Sequence, residues 1–237
     1  MPNELSASQL TERSVALENE GRFAEAFELC KKAAEMGHIP AQTNLGIYYE
    51  NGKGVAKNIS EAVKWYRKAA EQGGGRGQNH MGDCYENGKG VEVNLEKAAN
   101  WYEKSANSGN VSGMCNFAQC CISGSGIARN EAAGFRRYLQ AADTGDAFAQ
   151  RSVGTCFYRG IGVAKSIDEA IKWFQRAAEQ GDIDAFYNLS AISRDKGSGL
   201  FEYFPWKTVC PNCGNDATRL SGFDYNCPVC GKISMQD

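Results

Sequence analysis

Four cysteines near the C-terminus carry the clearest chemistry in this sequence. Cys210 and Cys213 stand in the run Cys-Pro-Asn-Cys-Gly, Cys227 and Cys230 in Cys-Pro-Val-Cys-Gly, with thirteen residues between Cys213 and Cys227. Two C-x2-C-G turns at this separation turn four thiolates towards one ion and fill a tetrahedral shell, with Zn–S near ~2.3 Å. The glycine after each pair relieves crowding where backbone N–H groups approach sulfur. A filled shell leaves no place for water, so one Zn2+ is expected here in a structural rather than a catalytic role. Iron is the alternative ion and would make an electron carrier. Zinc is preferred because the rest of the chain supplies no redox partner, in particular no pair of Glu-x2-His motifs for a di-iron site. Between the two turns, Ala217–Leu220 and Phe223–Asn226 are expected to pair as a hairpin across Ser221-Gly222. So small a module has little core, and metal binding would supply most of its folding energy, on the order of 10–16 kcal/mol at neutral pH. Its charges, Lys207, Arg219 and Lys232 against Asp216, Asp224 and Asp237, cancel, whereas a phosphate-binding module should be clearly basic.

The remaining reactive residues point away from catalysis. Cys84, Cys120 and Cys156 recur every 36 residues in a column that Tyr48 and Ile192 share, which reads as buried packing thiols; Cys30, Cys115 and Cys121 complete the set. The two histidines, His38 and His80, fall near turns or helix starts and are expected to be solvated. Ser193-Arg194-Asp195-Lys196 matches an S-x2-K pattern but lacks its partner motifs. No Walker loop, Ser–His–Asp set or dinucleotide fingerprint occurs, so the protein is not expected to be an enzyme and no small-molecule substrate is indicated.

Composition sets the outer bounds. The 237 residues are 42% hydrophobic and 23% charged, with 27 glycines, 5 prolines and a formal net charge of −2. That is globular composition without the basicity of a general polyanion binder. No apolar run approaches the ~18 residues of a membrane span. Met1–Glu20 lacks the basic and apolar regions of a secretory signal, so a cytoplasmic location with reduced thiols is expected.

The elements that must position all of this repeat every 36 residues. Gly46, Gly82, Ala118 and Gly154 share one column, Tyr66, Tyr102, Tyr138 and Phe174 a second, and Trp65, Trp101 and Trp173 a third that skips one copy. The runs Gly52–Val55, Gly88–Val91, Gly124–Ile127 and Gly160–Val163 keep the same register. Each copy reads as two helices. Ala41, Leu45 and Tyr49 make one helical face, a glycine-rich turn ends it, and Ala62, Trp65, Tyr66, Ala69 and Ala70 make the next, stopped by a glycine at 73, 109, 145 or 181. One such pair cannot bury its apolar face alone, but stacked pairs can, so an all-α solenoid is expected. Residues 1–38 form a divergent capping pair, 39–182 the four full copies, 183–206 a partial fifth copy with an aromatic linker, and 207–237 the metal module. The aromatics Phe201–Trp206, blocked from helix by Pro205, are expected to cover the last apolar face together with that module. The third copy, with Gly134 for alanine and Arg137 for tryptophan, is read first as repeat drift, with looser packing or a site where a partner docks as the alternatives.

The pattern A-x3-L-G-x2-Y-x2-G-x-G-V from Ala41 to Val55, followed by A-x2-W-Y-x2-A-A from Ala62 to Ala70, resembles the Sel1-like repeat, a relative of the tetratricopeptide repeat. The resemblance covers roughly 39–200 and implies a right-handed superhelix that holds protein partners on a concave face lined by the first helices. The cysteine module resembles the zinc-ribbon class, and its turns also resemble rubredoxin-like iron modules. Some ribbons bind nucleic acid, which the balanced charge here disfavours. The disulfides of secreted cysteine-rich relatives are not matched, since the second helices lack partner cysteines.

On that reading the protein is an adaptor for a protein or peptide. Its binding face, taken opposite Ala41, Leu45 and Tyr49, comprises Thr43, Ile47 and Glu50; Asn79, Asp83 and Glu86; Cys115, Gln119 and Ile122; Arg151, Thr155 and Tyr158; and Tyr187, Ala191 and Arg194. The face passes from acidic to basic and aromatic, a gradient suited to orienting an extended peptide with its acidic end towards Arg151 and Arg194.

Overall fold

A computed structural model describes residues 5–196 and four short strands, 207–209, 216–221, 224–227 and 231–234; from residue 193 onwards it is described by its backbone alone. The described helices are α1 (Ala7–Asn19), α2 (Phe23–Glu35), α3 (Ile39–Asn51), α4 (Ile59–Glu71), α5 (Gly75–Asn87), α6 (Leu95–Asn107), α7 (Val111–Ser123), α8 (Glu131–Ala142), α9 (Ala147–Arg159), α10 (Ile167–Glu179) and α11 (Ile183–Lys196). They form an all-α helical repeat, a solenoid of stacked helix pairs. The chain divides into two compact units, one of residues 1–144 with 160–164 and one of 145–159 with 165–237.

Local signals recur with the period. At the start of the second helices, Asn58, Asn94, Asn130 and Ser166 each accept a hydrogen bond from the backbone N–H three residues on, which supplies one of the donors a helix start leaves unpaired. The same four residues donate their own N–H back to the first helix, to the carbonyls of Tyr49, Tyr85, Cys121 and Phe157 at 2.7–2.9 Å. At the end of the first helices, Gly52, Gly88 and Gly124 take the left-handed conformation of a C-cap. The glycine two residues further on serves a different need. A Cβ on Gly54 would lie 2.2 Å from the Phe23 carbonyl oxygen, so the loop rests directly on the start of the preceding second helix.

In the first unit each odd helix packs on the even helix that follows it, and each even helix packs on the next odd one; α5 also touches both α3 and α7 directly. The N-terminal core gathers Leu10, Leu17, Phe27, Cys30, Ala41, Leu45 and Tyr48, with Tyr49 and Trp65 against it. The next joins Ala62, Val63, Tyr66, Met81 and Cys84, with Tyr85 and Trp101 against it. Buried glutamines latch successive pairs: Gln42 donates to the Ala34 carbonyl at 3.3 Å and Gln78 to the Ala70 carbonyl at 3.2 Å. Cys30, Cys84, Cys115, Cys120, Cys121 and Cys156 are all buried.

The third copy departs from the alternative of looser packing. A Cβ on Gly134 would fall 2.5 Å from Ile122 Cγ1 and 2.7 Å from the Ala118 carbonyl oxygen, so α7 and α8 are in close contact there. Glycine is needed because Ile122 and the α7 backbone already fill the space.

In the second unit α10 packs on both α9 and α11 around Ala170, Phe174, Ala177, Ala185 and Ile192. Beyond residue 206 the strands β1 (Lys207–Val209), β2 (Asp216–Ser221), β3 (Asp224–Cys227) and β4 (Gly231–Ser234) form an antiparallel sheet in sequential order. Thr218 stands opposite Asn226, Arg219 opposite Tyr225, and Cys227 opposite Gly231. The segment Phe201–Trp206, expected to cover the last repeat, lies outside the described residues.

Candidate functional site

The first helices present a polar network that links neighbouring repeats. On α3, Glu50 accepts a hydrogen bond from the Tyr66 hydroxyl at 2.6 Å and another from Lys89 Nζ at 2.9 Å. Lys89 also reaches Asp83 on α5 at 2.7 Å, so one ammonium joins carboxylates from two repeats. His80 stacks on Tyr66, centroids 4.4 Å apart and planes within 6°. Beside them Arg76 donates to Asn44 Oδ1 at 3.1 Å, and Asn116 donates to Asn79 Oδ1 at 2.9 Å. One repeat along, the Tyr102 hydroxyl donates to Glu86 at 2.8 Å; in the third copy Tyr138 donates to Gln119 at 3.0 Å.

The electrostatics follow from partial burial. Burial pushes the Glu50 carboxyl up, but the hydrogen bonds from Tyr66 and Lys89 outweigh it and hold Glu50 below the usual carboxylate range. Burial, reinforced by the Glu50 carboxylate, drives the Tyr66 hydroxyl well above its ordinary value. The hydrogen bonds to Asp83 and Glu50 keep Lys89 protonated. Burial dominates at His80 and holds it below the ordinary imidazole value, so the ring is neutral near pH 7. Burial likewise pushes the Cys84 thiol up to about 12 and the Cys120 thiol up to about 11, which leaves both without thiolate character.

The predicted face is therefore brought together only in part. Asn79, Asp83, Glu86 and Gln119 reach the surface, Glu86 and Gln119 most fully. Thr43 does not: it is 1% exposed and its hydroxyl turns back to the Ile39 carbonyl. Cys115 is buried as well, and Ile47 packs half-buried against the Tyr66 core. Ile122 is half-buried over Gly134. These are corrections to the single-helix projection. First helices lie side by side, and the neighbour covers the column nearest to it.

In the second unit, Arg151 is engaged by Asp182 at 3.0 Å and Asp184 at 3.5 Å, so its charge is compensated and does not make the basic end of a gradient. Thr155 bonds the Arg151 carbonyl at 3.0 Å, Tyr158 lies half-buried beneath Lys165, and Tyr187 is 58% exposed. The Arg194 side chain lies outside the described residues. His80, expected to be solvated, is instead stacked and largely enclosed, and His38 Nδ1 is hydrogen-bonded with the Thr11 hydroxyl at 2.8 Å.

Sequence reasoning missed Lys89, Arg76, Asn44 and Asn116. A signal for the first was present: both Gly-Lys-Gly loops carry their lysine to a first-helix carboxylate, Lys53 to Glu18 at 2.7 Å and Lys89 to Glu50.

Of the predicted metal ligands, Cys210, Cys213 and Cys230 lie outside the described residues, and Cys227 is described by its backbone alone, at the end of β3. Among the described residues no group of His, Cys, Asp or Glu side chains is placed to hold a metal ion. No described helix is long and apolar enough to cross a membrane.

The repeating helix pairs, glycine-capped and closed by the same loop each time, define an α-solenoid of stacked helix pairs. A profile of the Sel1 repeat matches residues 23–38, 39–74, 75–110, 111–146 and 147–182. The chain belongs to the Sel1 repeat family, whose members are typically non-enzymatic protein-interaction scaffolds. It is similar to a protective antigen of uropathogenic Escherichia coli, with 34% identity and a TM-score of 0.71 over 81% of this chain and 42% of that one. This chain thus spans less than half of that protein. A Sel1 repeat protein from Oxalobacter formigenes is 32% identical, with a TM-score of 0.71 over 79% of this chain and 76% of that one. An immunity protein from Pseudomonas aeruginosa shares the fold at 24% identity and a TM-score of 0.55, over 76% of this chain and 67% of that one. A search of curated proteins finds no match.

Proposed function

We propose that this protein is a non-enzymatic adaptor of a reducing, cytoplasmic compartment. It holds an extended protein segment on the first-helix face of its first unit, and a C-terminal four-cysteine module binds one structural zinc. The observation that carries the adaptor reading is the Asn44–Arg76 and Asn79–Asn116 pairing along α3, α5 and α7. Carboxamides and a guanidinium in a row offer donors and acceptors to a peptide backbone whatever its side chains. Glu86 and Gln119 beside them are exposed and can take a positively charged or amide group.

The zinc reading is supported by strand register. Val209 pairs with Asp216 where β1 meets β2, and Cys227 pairs with Gly231 where β3 meets β4. In a sequential antiparallel sheet these two closing pairs fall at the same end of the sheet. Cys210, Cys213, Cys227 and Cys230 would hold the ion, which would fix the two hairpins to each other and leave no open position for chemistry.

Two measurements test the proposal. Peptides selected by display on the full chain should bind Asn79→Ala/Asn116→Ala protein at least tenfold more weakly, about 1.4 kcal/mol; equal binding refutes the face. Elemental analysis should find one zinc per chain in colourless protein, lost in Cys227→Ser without change in helical circular dichroism. Iron with a visible thiolate band, or no metal, refutes the zinc reading.

A further inference from the structure

We propose that the third repeat carries a docking pocket for an aromatic side chain flanked by carboxylates, supplied by an acidic segment of a protein partner. The pocket stands apart from the first-helix face and does not depend on that reading.

Its origin is visible by comparing copies. The column of Tyr49, Tyr85 and Phe157 holds Cys121 in the third copy, and the tryptophan column of Trp65, Trp101 and Trp173 holds Arg137. Two rings are missing from one place. Elsewhere the tryptophan carries a cation on its outer face, with Lys68 Nζ 4.1 Å from the Trp65 ring and Lys104 Nζ 4.3 Å from Trp101. In the third copy the cation has moved inward to position 137, and the lysine position holds neutral Gln140. What remains is a cavity of about 550 Å³, open to solvent, lined by Phe117, Cys121, Ile127, Arg136, Arg137 and Gln140.

That lining fits one kind of guest. Phe117 and Ile127 offer an apolar surface with the space a ring occupies in the sister copies, and aromatic side chains gain from both area and ring contact. The Arg137 guanidinium lies 5.7 Å from the Phe117 ring and donates to Asn107 at 2.9 Å and Gln140 at 3.1 Å, both uncharged. Among the described residues neither Arg136 nor Arg137 forms an ion pair; Glu103 also lines the cavity and pairs with neither. Two guanidiniums against one carboxylate leave a positive rim around an apolar floor. Arginine binds carboxylates through paired N–H donors, so an aromatic residue with acidic neighbours satisfies floor and rim together.

The experiment follows the methyl resonances of Ile127, Ala128 and Ala133 in the full chain during titration with acetyl-Glu-Trp-Glu-amide. The expected result is saturable shifts with Kd of about 1 mM, the scale for so small a ligand. Acetyl-Lys-Trp-Lys-amide and acetyl-Glu-Ala-Glu-amide should each bind at least tenfold more weakly. Arg137→Trp, which restores the residue of the sister copies, should abolish the shifts. Arg136→Gln/Arg137→Gln is the second variant should the tryptophan disturb folding, and it should weaken binding at least tenfold. Absent shifts, equal response to the lysine or alanine peptide, or undiminished binding in the folded variants would overturn the proposal.

Discussion

Gly46 offers the sharpest test of how the helix pair is held. A Cβ built there would lie 2.4 Å from Tyr66 Cε1 and 2.6 Å from Cδ1. Whether the ring can yield decides the cost. Tyr66 is 1% exposed, stacked on His80 at 4.4 Å, and tethered through its hydroxyl to Glu50 at 2.6 Å. It cannot turn away without stretching a hydrogen bond to a charged group, worth about 1.5–3 kcal/mol. Overpacking of this kind costs about 1–3 kcal/mol, while alanine in a helix interior returns up to ~1 kcal/mol relative to glycine. Gly46→Ala should therefore destabilise α3 and α4 by about 1–3 kcal/mol, the tether keeping the cost from relaxing away.

A repeat array need not unfold in one step, so amide exchange within α3 and α4 is the appropriate measure, with urea unfolding alongside. Tyr66→Phe cuts the tether and lets the ring shift, so Gly46→Ala/Tyr66→Phe should cost at least 1 kcal/mol less than the two single changes together. Gly73→Ala is the control. It has φ +84° but nothing within 4 Å, and should cost only the ~1–2 kcal/mol of the left-handed backbone. If Gly46→Ala lies within 0.5 kcal/mol of the parent, a margin typical of neutral surface changes, the rigid-ring argument is wrong.

Three further outcomes follow from the same geometry. The imidazole of His80 is held below its ordinary value, so the unfolded chain takes up the proton first as pH falls through about 6.5, and stability drops by up to ~1.4 kcal/mol per pH unit. Glu50 and Asp83 oppose this and Arg76 and Lys89 reinforce it; urea midpoints at pH 7 and 5.5 should converge in His80→Gln, and an unchanged pH dependence would refute the assignment. Replacing Asn94, whose side chain accepts from the Lys97 N–H at 2.8 Å, with alanine should cost ~1 kcal/mol, measured as exchange at the start of α6. Lys89→Met removes contacts to Glu50 and Asp83 and should cost ~1 kcal/mol at low salt and less at high salt, because the pair is partly exposed; a salt-independent loss would point to packing instead.

How much of this was legible beforehand depends on whether one repeat or two are needed to see it. Helix ends are local. Gly52, Gly88 and Gly124 mark them by residue type, and Asn58, Asn94, Asn130 and Ser166 could have been read as N-caps from the same column logic. The core was equally readable, because Tyr66 meets Gly46 of the preceding helix and Ala69 meets Gly77 of the following one at fixed spacing. The binding face was not. Thr43, at helical spacing from Ile47 and Glu50, projects to one stripe, yet it is buried in a helix that has neighbouring first helices, α1 and α5, against it. The stacking of His80 on Tyr66 and the reach of Lys89 to Glu50 cross the boundary between copies, so neither is contained in a single 36-residue pattern. Arg151 shows the same limit in charge: its partners, Asp182 and Asp184, are 31 and 33 positions on.

The third copy shows that the departures from the repeat are one adjustment and not drift at separate sites. Ala118 stands where the other copies have glycine, at the position that meets the Tyr66 or Tyr102 ring in its sisters. Its tyrosine, Tyr138, reaches Gln119 instead of the residue sixteen positions earlier that serves Tyr66 and Tyr102. That earlier residue is Ile122, which needs no hydroxyl and lies over Gly134. A methyl added at 118, an acceptor moved to 119, an apolar group at 122 and a methyl removed at 134 thus compensate one another in volume and in hydrogen bonding. The inner contact is kept, while Cys121 and Arg137, which line the cavity, lose the rings of their sister copies without such compensation. A repeat that preserves its inner packing and opens only its outer surface has the free-energy profile of a site, since the exposed space is not needed to hold α7 against α8.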